Sequence, residues 1–432
     1  VSPEISMIAV FATLSILTLL GAPIFLSLGF SSLVGMFMVR GVQGLFQLPA
    51  SMMGQLDSFL LVALPLYIFM GEVLNRSGIG AEIYDLLEKW LRRIPGGLAI
   101  ASILSCAVFG AMCGVSIAGV AAIGVVAIPE MLKRGYNRPL AAGSVTAAGA
   151  LAVLIPPSIS FIIYGAISGV SVAKLFIAGI VPGVILSLMM ASYVLLRVLK
   201  NPALAPLPEG TFSFRDSLAP LYKLWPVIFL LTAVLGTIYC GIATPTEAGA
   251  IGAVGALFVV ILRRKVTVRI FIEILTGSMR IASMLLIIMA AAFAFGQYLN
   301  LVRLPLTLSR WVIGFNVSPM LVIVTIMIFL IMLGMFIDGV SLIIVTTPVI
   351  LPTIIALGYD PLWYGVLLVL NLEIATITPP VGLNLYAMKS AIDDLKLGEI
   401  LKGTLPYVIV EAIALTLFLL CPRLAMWLPN TM

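Results

Sequence analysis

Two double prolines, Pro156-Pro157 and Pro379-Pro380, interrupt the long apolar stretches 139–168 and 361–390. Proline removes a backbone donor and clashes with the preceding turn, so a double proline breaks a helix and frees carbonyl oxygens. Two further apolar stretches, 98–131 and 318–352, are broken near Gly110-Ala-Met-Cys-Gly114 and near Gly334 and Asp338-Gly339. Glycine there lets the backbone turn sharply and expose carbonyls. Ser116, Ser158, Thr376 and Thr378 add hydroxyls, and Asp338 and Glu373 add carboxylates, each inside an apolar run. Hard oxygens of this kind suit a cation such as sodium. Asp338 has two readings: an N-cap for the following helix, or a member of an ion or substrate site. Glu373, in Val369-Leu-Asn-Leu-Glu-Ile-Ala-Thr376, either holds an ion or pairs with a base such as Arg280. Glu247 follows Pro245 at a helix start, where a carboxylate complements the helix dipole.

These residues need a solvent other than water around them. Of 432 residues, 62% are hydrophobic and 10% charged, and mean hydropathy is +1.22. Soluble domains run at about 45–50% apolar and about 25% charged, so the chain is an all-α polytopic membrane protein. A net charge of +6, spread thinly, makes no nucleic-acid surface. Histidine is absent, and Cys106, Cys113, Cys240 and Cys421 have no C-x-x-C spacing, so metal chemistry and disulfides are not indicated. There is no phosphate loop and no H-E-x-x-H motif, which speaks against nucleotide hydrolysis and against an intramembrane enzyme.

A span needs about 20 apolar residues. The expected spans are 5–26, 56–75, 178–199, 224–243, 246–262, 272–300 and 404–428. The first lacks a basic n-region and an A-x-A site, so it is expected to be retained. Each half of 98–131 and 318–352 is too short to span, and suits one arm of a re-entrant hairpin. Residues 80–94 put Ile83, Leu86, Leu87, Trp90 and Leu91 on one face, as a helix lying along the membrane surface would.

The broken segments repeat. A shift of 223 superposes Met112 on Met335, Pro129 on Pro352, Gly135-Tyr136 on Gly358-Tyr359 and Pro156-Pro157 on Pro379-Pro380. A shift of 225 superposes Gly71-Glu-Val-Leu74-Asn75 on Gly296-Gln-Tyr-Leu299-Asn300. Charge gives the orientation of the two copies. The loop after the first hairpin carries Lys133, Arg134 and Arg138, whereas its counterpart carries Asp360 and no base. The positive-inside rule then predicts an inverted repeat with the N-terminus outside. Arg40, Lys174, Arg303, Arg310 and Arg423 fall outside, Arg280 within a membrane segment, and the other 18 of 24 bases inside. In inverted-repeat transporters, half-helix N-termini face anionic groups near the midplane and unwound carbonyls hold sodium.

Four stretches carry a family resemblance: Ile128-Pro-Glu-Met-Leu-Lys-Arg-Gly-Tyr136, Leu154-Ile-Pro-Pro-Ser-Ile159, Ala243-Thr-Pro-Thr-Glu-Ala248, and Asn371-Leu-Glu-Ile through Thr378-Pro-Pro-Val-Gly-Leu-Asn384. The chain resembles the large membrane subunit (M, DctM-like) of tripartite ATP-independent periplasmic (TRAP) transporters over essentially its whole length. The resemblance implies a sodium-coupled importer of organic acids in the bacterial inner membrane, working by an elevator motion. It implies a small membrane partner (Q, here a separate chain) and a periplasmic substrate-binding protein. C4-dicarboxylates, sialic acid and other sugar or keto acids are the typical substrates of the family.

Carried over by residue, the sodium region is Gly114, Ser116, Gly149, Pro156, Gly334, Asp338, Gly339, Asn371, Thr376, Thr378 and Pro379. The substrate region is Ser116, Pro157, Ser158, Asp338, Ser341, Pro380 and Asn384. The family often has Gly-Ser-Ser or Gly-Ser-Ala at the first tip; Cys113-Gly-Val-Ser116 stands here, so position 115 can offer backbone only. Residues 1–97 are then scaffold helices with the first arm, and 98–176 the first hairpin and broken helix of the transport domain. Residues 177–317 are scaffold helices with a linker at 200–223 and the second arm. Residues 318–402 are the second hairpin and broken helix, and 403–432 a C-terminal scaffold helix. A single-component carboxylate carrier of similar hairpin architecture is the alternative. A continuous channel fits paired broken helices less well.

Overall fold

The computed structural model describes residues 2–206, 224–263, 267–314 and 317–431. Most of the linker expected at 200–223, and with it Arg215, Lys223, Arg264 and Lys265, lies outside the described residues. Among the described residues every regular element is helical. Among the described residues seven helices are long and apolar enough to cross a membrane, or eight if the bent pair Arg138–Leu154 and Ile159–Ser168 is one span. They include Ser116–Lys133 and Gly339–Ala356, correcting the expectation that these second arms are too short. Trp225–Tyr239, in the expected span 224–243, falls short of that length.

The N-terminal span expected at 5–26 is corrected. Two helices, Pro3–Leu19 and Ile24–Arg40, replace it, and a third, Val42–Leu56, follows. Gly21 takes a left-handed φ of +78°, and Pro23 starts the next helix, so the chain cannot run on through residue 22. The span expected at 404–428 is the helix Leu397–Leu420, which ends ahead of Pro422. The segment 224–243 is a helix over Trp225–Tyr239 with one π turn at Thr232–Gly236.

All four expected breaks are present. Gly97–Cys113 and Ser116–Lys133 meet at Gly114, whose φ is +65°. Pro319–Gly334 and Gly339–Ala356 meet at a short turn that ends on Asp338. At the first double proline the chain bends by 41°. At the second, Pro361–Thr376 stops and Leu383–Ala391 begins. Both Pro-Pro bonds are cis. Gly135 (φ +75°) and Gly358 (φ +83°) end the two second arms in the same left-handed conformation, in the register of the repeat.

Three packing features position the site. The helix Val268–Leu301 has 34 residues, about 50 Å at 1.5 Å per residue, so it must tilt or protrude from a core of about 30 Å. The helices Arg138–Ala148 and Leu397–Leu420 touch backbone to backbone. A Cβ on Gly143 would lie 2.1 Å from the Gly403 carbonyl oxygen, and one on Gly403 would lie 1.9 Å from that of Pro139. Small residues let membrane helices approach in this way. Finally, charged residues tie the ends together: Arg134 pairs with Glu88 (2.9 Å) and Glu130 (2.8 Å), and Arg138 with Glu399 (2.9 Å) and Asp394 (3.0 Å). The helix Ile79–Leu91 buries Ile83 and Leu86 as expected, but it also buries Tyr84 and Glu88 and leaves Trp90 exposed, so its buried face is not the purely apolar one that the pattern predicts.

Candidate functional site

The two hairpin tips and the two proline breaks meet around one cavity of about 240 Å³. Four helices begin at its wall. Ser116 and Ile117 open the second arm of the first hairpin, and Gly339 and Val340 that of the second. Ile159 and Ser160 open the helix after the first double proline, and Leu383 and Asn384 the helix after the other. Each helix N-terminus carries roughly half a positive charge, and at two of them a side chain already takes one N–H, Ser158 that of Phe161 and Asp338 that of Ser341. Four of them converge here.

A hydrogen-bonded cluster crosses between the two halves of the sequence. Ser116 donates its hydroxyl to Glu373 Oε2 at 2.8 Å. Asn384 Nδ2 donates to Ser116 Oγ at 2.7 Å and to Thr376 Oγ1 at 3.2 Å. Thr376 donates to the Glu373 carbonyl at 2.8 Å. Glu373 is 5% exposed and Asn384 fully buried, and Asn384 Oδ1 has no partner. The cluster gathers one carboxylate, two hydroxyls and an amide whose oxygen has no partner. Gly149 closes the back of the cluster: a Cβ there would lie 3.0 Å from Ser116 Oγ and 3.1 Å from Asn384 Nδ2.

Asp338 does two things. Its carboxylate accepts from the Ser341 backbone N–H at 2.9 Å, capping the second arm, and the half-buried side chain also lines the cavity. On the opposite side Ile281, Met284 and Leu285 of the Val268–Leu301 helix form an apolar wall.

The family model described as "Tripartite ATP-independent periplasmic transporter, DctM component" matches residues 11–424. The chain belongs to the DctM family. It is a transporter component and not an enzyme, and a multi-pass protein of the bacterial inner membrane. The C4-dicarboxylate TRAP transporter large permease protein DctM of Pseudomonas aeruginosa is 36% identical over 378 residues, 87% of each chain. The isethionate TRAP transporter permease protein DctMQ of Oleidesulfovibrio alaskensis is 30% identical over 421 residues. That match takes in 96% of this chain and 65% of the relative, which is the longer protein. The crystal structure of the Alcanivorax borkumensis YdaH transporter shares the fold, with a TM-score of 0.61 and 15% identity over 91% of this chain and 90% of that one.

Within this DctM-family chain, the expected residues divide into two groups. Gly114, Ser116, Asp338, Gly339, Thr376 and Asn384 line the cavity, with Gly149 behind them. Pro157 stands behind the first tip: a Cβ on Gly114 would lie 2.7 Å from its carbonyl oxygen. The others do not line it. Asn371 donates to the Met327 carbonyl at 2.9 Å, Ser158 caps the helix that follows it, and Thr378 donates to the Ile374 carbonyl. Gly334 packs on Ala375, and Pro156, Pro379, Pro380 and Ser341 stand outside the lining. The alternative pairing of Glu373 with Arg280 is not formed: Glu373 is bonded to Ser116 and Thr376, and Arg280 is exposed. Glu247 belongs to a capping box with Thr244 at the start of Pro245–Leu262. Sequence reasoning missed Ser160, which lies just past the Leu154–Ile159 block, and the Ile281–Leu285 wall, which carries neither a polar signature nor a place in the repeat.

Proposed function

We propose that this chain imports a small organic anion across the inner membrane, coupled to sodium, by an elevator motion of an inverted repeat. The observation that carries the reading is the convergence of four helix N-termini on one cavity that also contains a buried carboxylate. Helix N-termini favour an anion, and Glu373 with the hydroxyls of Ser116 and Thr376 and the Asn384 carbonyl oxygen favours a cation. A site offering both would bind the two together better than either alone, which is the thermodynamic requirement of symport. The substrates in the two relatives' names, a C4-dicarboxylate and isethionate, are both small organic anions.

The moving unit would comprise the two hairpins and the two broken helices, with the long Val268–Leu301 helix among the fixed elements. The backbone contact of Gly143 with Gly403 supports placing Leu397–Leu420 in the moving unit rather than the scaffold. Family membership supports delivery by a periplasmic binding protein and pairing with a small Q subunit. The test is uptake into proteoliposomes containing this chain with its Q subunit and binding protein, screened across carboxylates and sulfonates with and without a sodium gradient. Uptake that ignores sodium would reject the coupling. Uptake that needs neither second protein would favour a single-component carrier.

A further inference from the structure

The cavity at the hairpin tips has two chemically different sides. Ser116, Asp338, Glu373, Thr376 and Asn384 give it polar groups, and all of them come from the tips and the second broken helix. The facing helix Val268–Leu301 contributes Ile281, Met284 and Leu285 and no polar side chain. Val115 and Ile117 at the first tip and Val340 at the second add further apolar groups. At about 240 Å³ the cavity is smaller than the roughly 300–1,000 Å³ of most small-molecule sites, so its ligand is compact.

Charge is as uneven as polarity. The ionisable side chains in the lining, Asp338 and Glu373, are both acids, and among the described residues no Lys or Arg lines the cavity. Arg280 precedes Ile281 in the chain but is exposed and outside the lining. The protein's own positive potential here is therefore that of the helix N-termini. Ser158 and Asp338 cap two of these, whereas the helices beginning at Ser116 and Leu383 have no side-chain cap. Both start beside Asn384, whose amide nitrogen is bonded to Ser116 and whose buried Oδ1 has no partner. One anionic group is accommodated at that point. A second would find no base in the lining, and burying it unpaired against an apolar wall is costly. A row of hydroxyls fares little better, since the wall offers them neither donor nor acceptor.

We propose that the substrate is a compact aliphatic monocarboxylate. Its carboxylate sits at the uncapped helix starts of Ser116 and Leu383, and its alkyl tail lies against Ile281, Met284 and Leu285. The inference rests on the anion-import reading above and narrows it. Dicarboxylates and polyhydroxylated sugar acids are rejected by the wall, not by the anion site.

The test is ligand binding to the full chain with its Q subunit in lipid nanodiscs, without the binding protein, whose own selectivity would mask that of the cavity. The unfolding midpoint in sodium chloride is followed against acetate, butanoate, 4-methylpentanoate, succinate and gluconate. Stabilisation should need less ligand as the tail grows, by roughly fourfold for each methylene that the wall covers. Succinate and gluconate should each need roughly tenfold more than 4-methylpentanoate. Equal or tighter binding of succinate or gluconate would overturn the inference and leave the anion-import reading standing. Stabilisation by none of the five would overturn both. Met284 is 53% exposed, so Met284→Arg and Met284→Gln are expected to fold. Met284→Arg supplies the missing base and should tighten succinate by roughly tenfold. Met284→Gln makes the wall polar and should weaken 4-methylpentanoate without that gain; if the arginine variant fails to fold, this one decides. Wild-type selectivity in the folded variants would mean that the wall does not meet the substrate, and would overturn the inference.

Discussion

Ser116 and Glu373, one at each end of the transport machinery's sequence, are joined by a 2.8 Å hydrogen bond from hydroxyl to carboxylate. The bond ties the tip of the first hairpin to the broken helix of the second half. With Asn384 bonded to the same hydroxyl, both halves contribute to one buried polar cluster. Without Ser116 the second half keeps only the contacts that Glu373 and Asn384 make with Thr376.

Ser116→Ala should weaken sodium activation. A buried hydrogen bond to a charged acceptor contributes about 1.5–3 kcal/mol, and about 1.4 kcal/mol corresponds to tenfold in affinity. Half-saturating sodium for uptake is therefore expected to rise roughly tenfold or more. Ser116→Thr, which keeps the hydroxyl, should stay close to wild type. An unchanged sodium curve in the alanine variant would remove Ser116 from the site.

Asp338→Asn separates capping from charge. An amide still caps a helix, so thermal stability should change by no more than about 1 kcal/mol. If the charge helps to hold the cation, uptake in the folded variant should be lost or need much more sodium. Normal sodium activation would leave Asp338 as a cap alone.

Gly114→Ala should be destabilising for two reasons at once. The residue sits at φ +65°, and its new Cβ would lie 2.7 Å from the Pro157 carbonyl oxygen. Gly358→Ala is the control: its φ is +83°, but nothing lies within 4 Å of the added carbon. Strain of the backbone alone costs about 1–2 kcal/mol, so Gly114→Ala should lower the unfolding midpoint of detergent-solubilised protein more than Gly358→Ala. Equal shifts would mean that the tip and the proline break are not in firm contact.

Orientation can be read by impermeant thiol labelling in a background without other cysteines. Lys133 and Ala356 are exposed at corresponding ends of the two second arms. Lys133→Cys should label from the cytoplasm and Ala356→Cys from the periplasm. Labelling of both from one side would rule out the inverted repeat.

Much of this site was legible because the punctuating residues are rare. Double prolines, tip glycines and intramembrane acids stand out against Leu and Val, and each of the four breaks lies where its residues indicate. The N-terminal helices were less legible, since Gly21-Ala-Pro23 is a modest interruption within continuous hydrophobicity. Partners were not legible at all. Glu373 in an apolar run needs something polar, but a serine far off in the chain and an arginine in a nearby span satisfy that need equally on paper. Only the packing of the two tips distinguishes them, and packing depends on contacts that have no period along the sequence.

The contact between Gly143 and Gly403 has a mechanical consequence. Where two helices meet through side chains, rotamers can rearrange and let one slide over the other. Main chain against main chain has no such freedom, so this joint has no slack. A displacement of the broken helix is passed on whole to the C-terminal helix. Any larger residue at 143 or 403 would open a gap along both rods, turning a rigid coupling into a loose one.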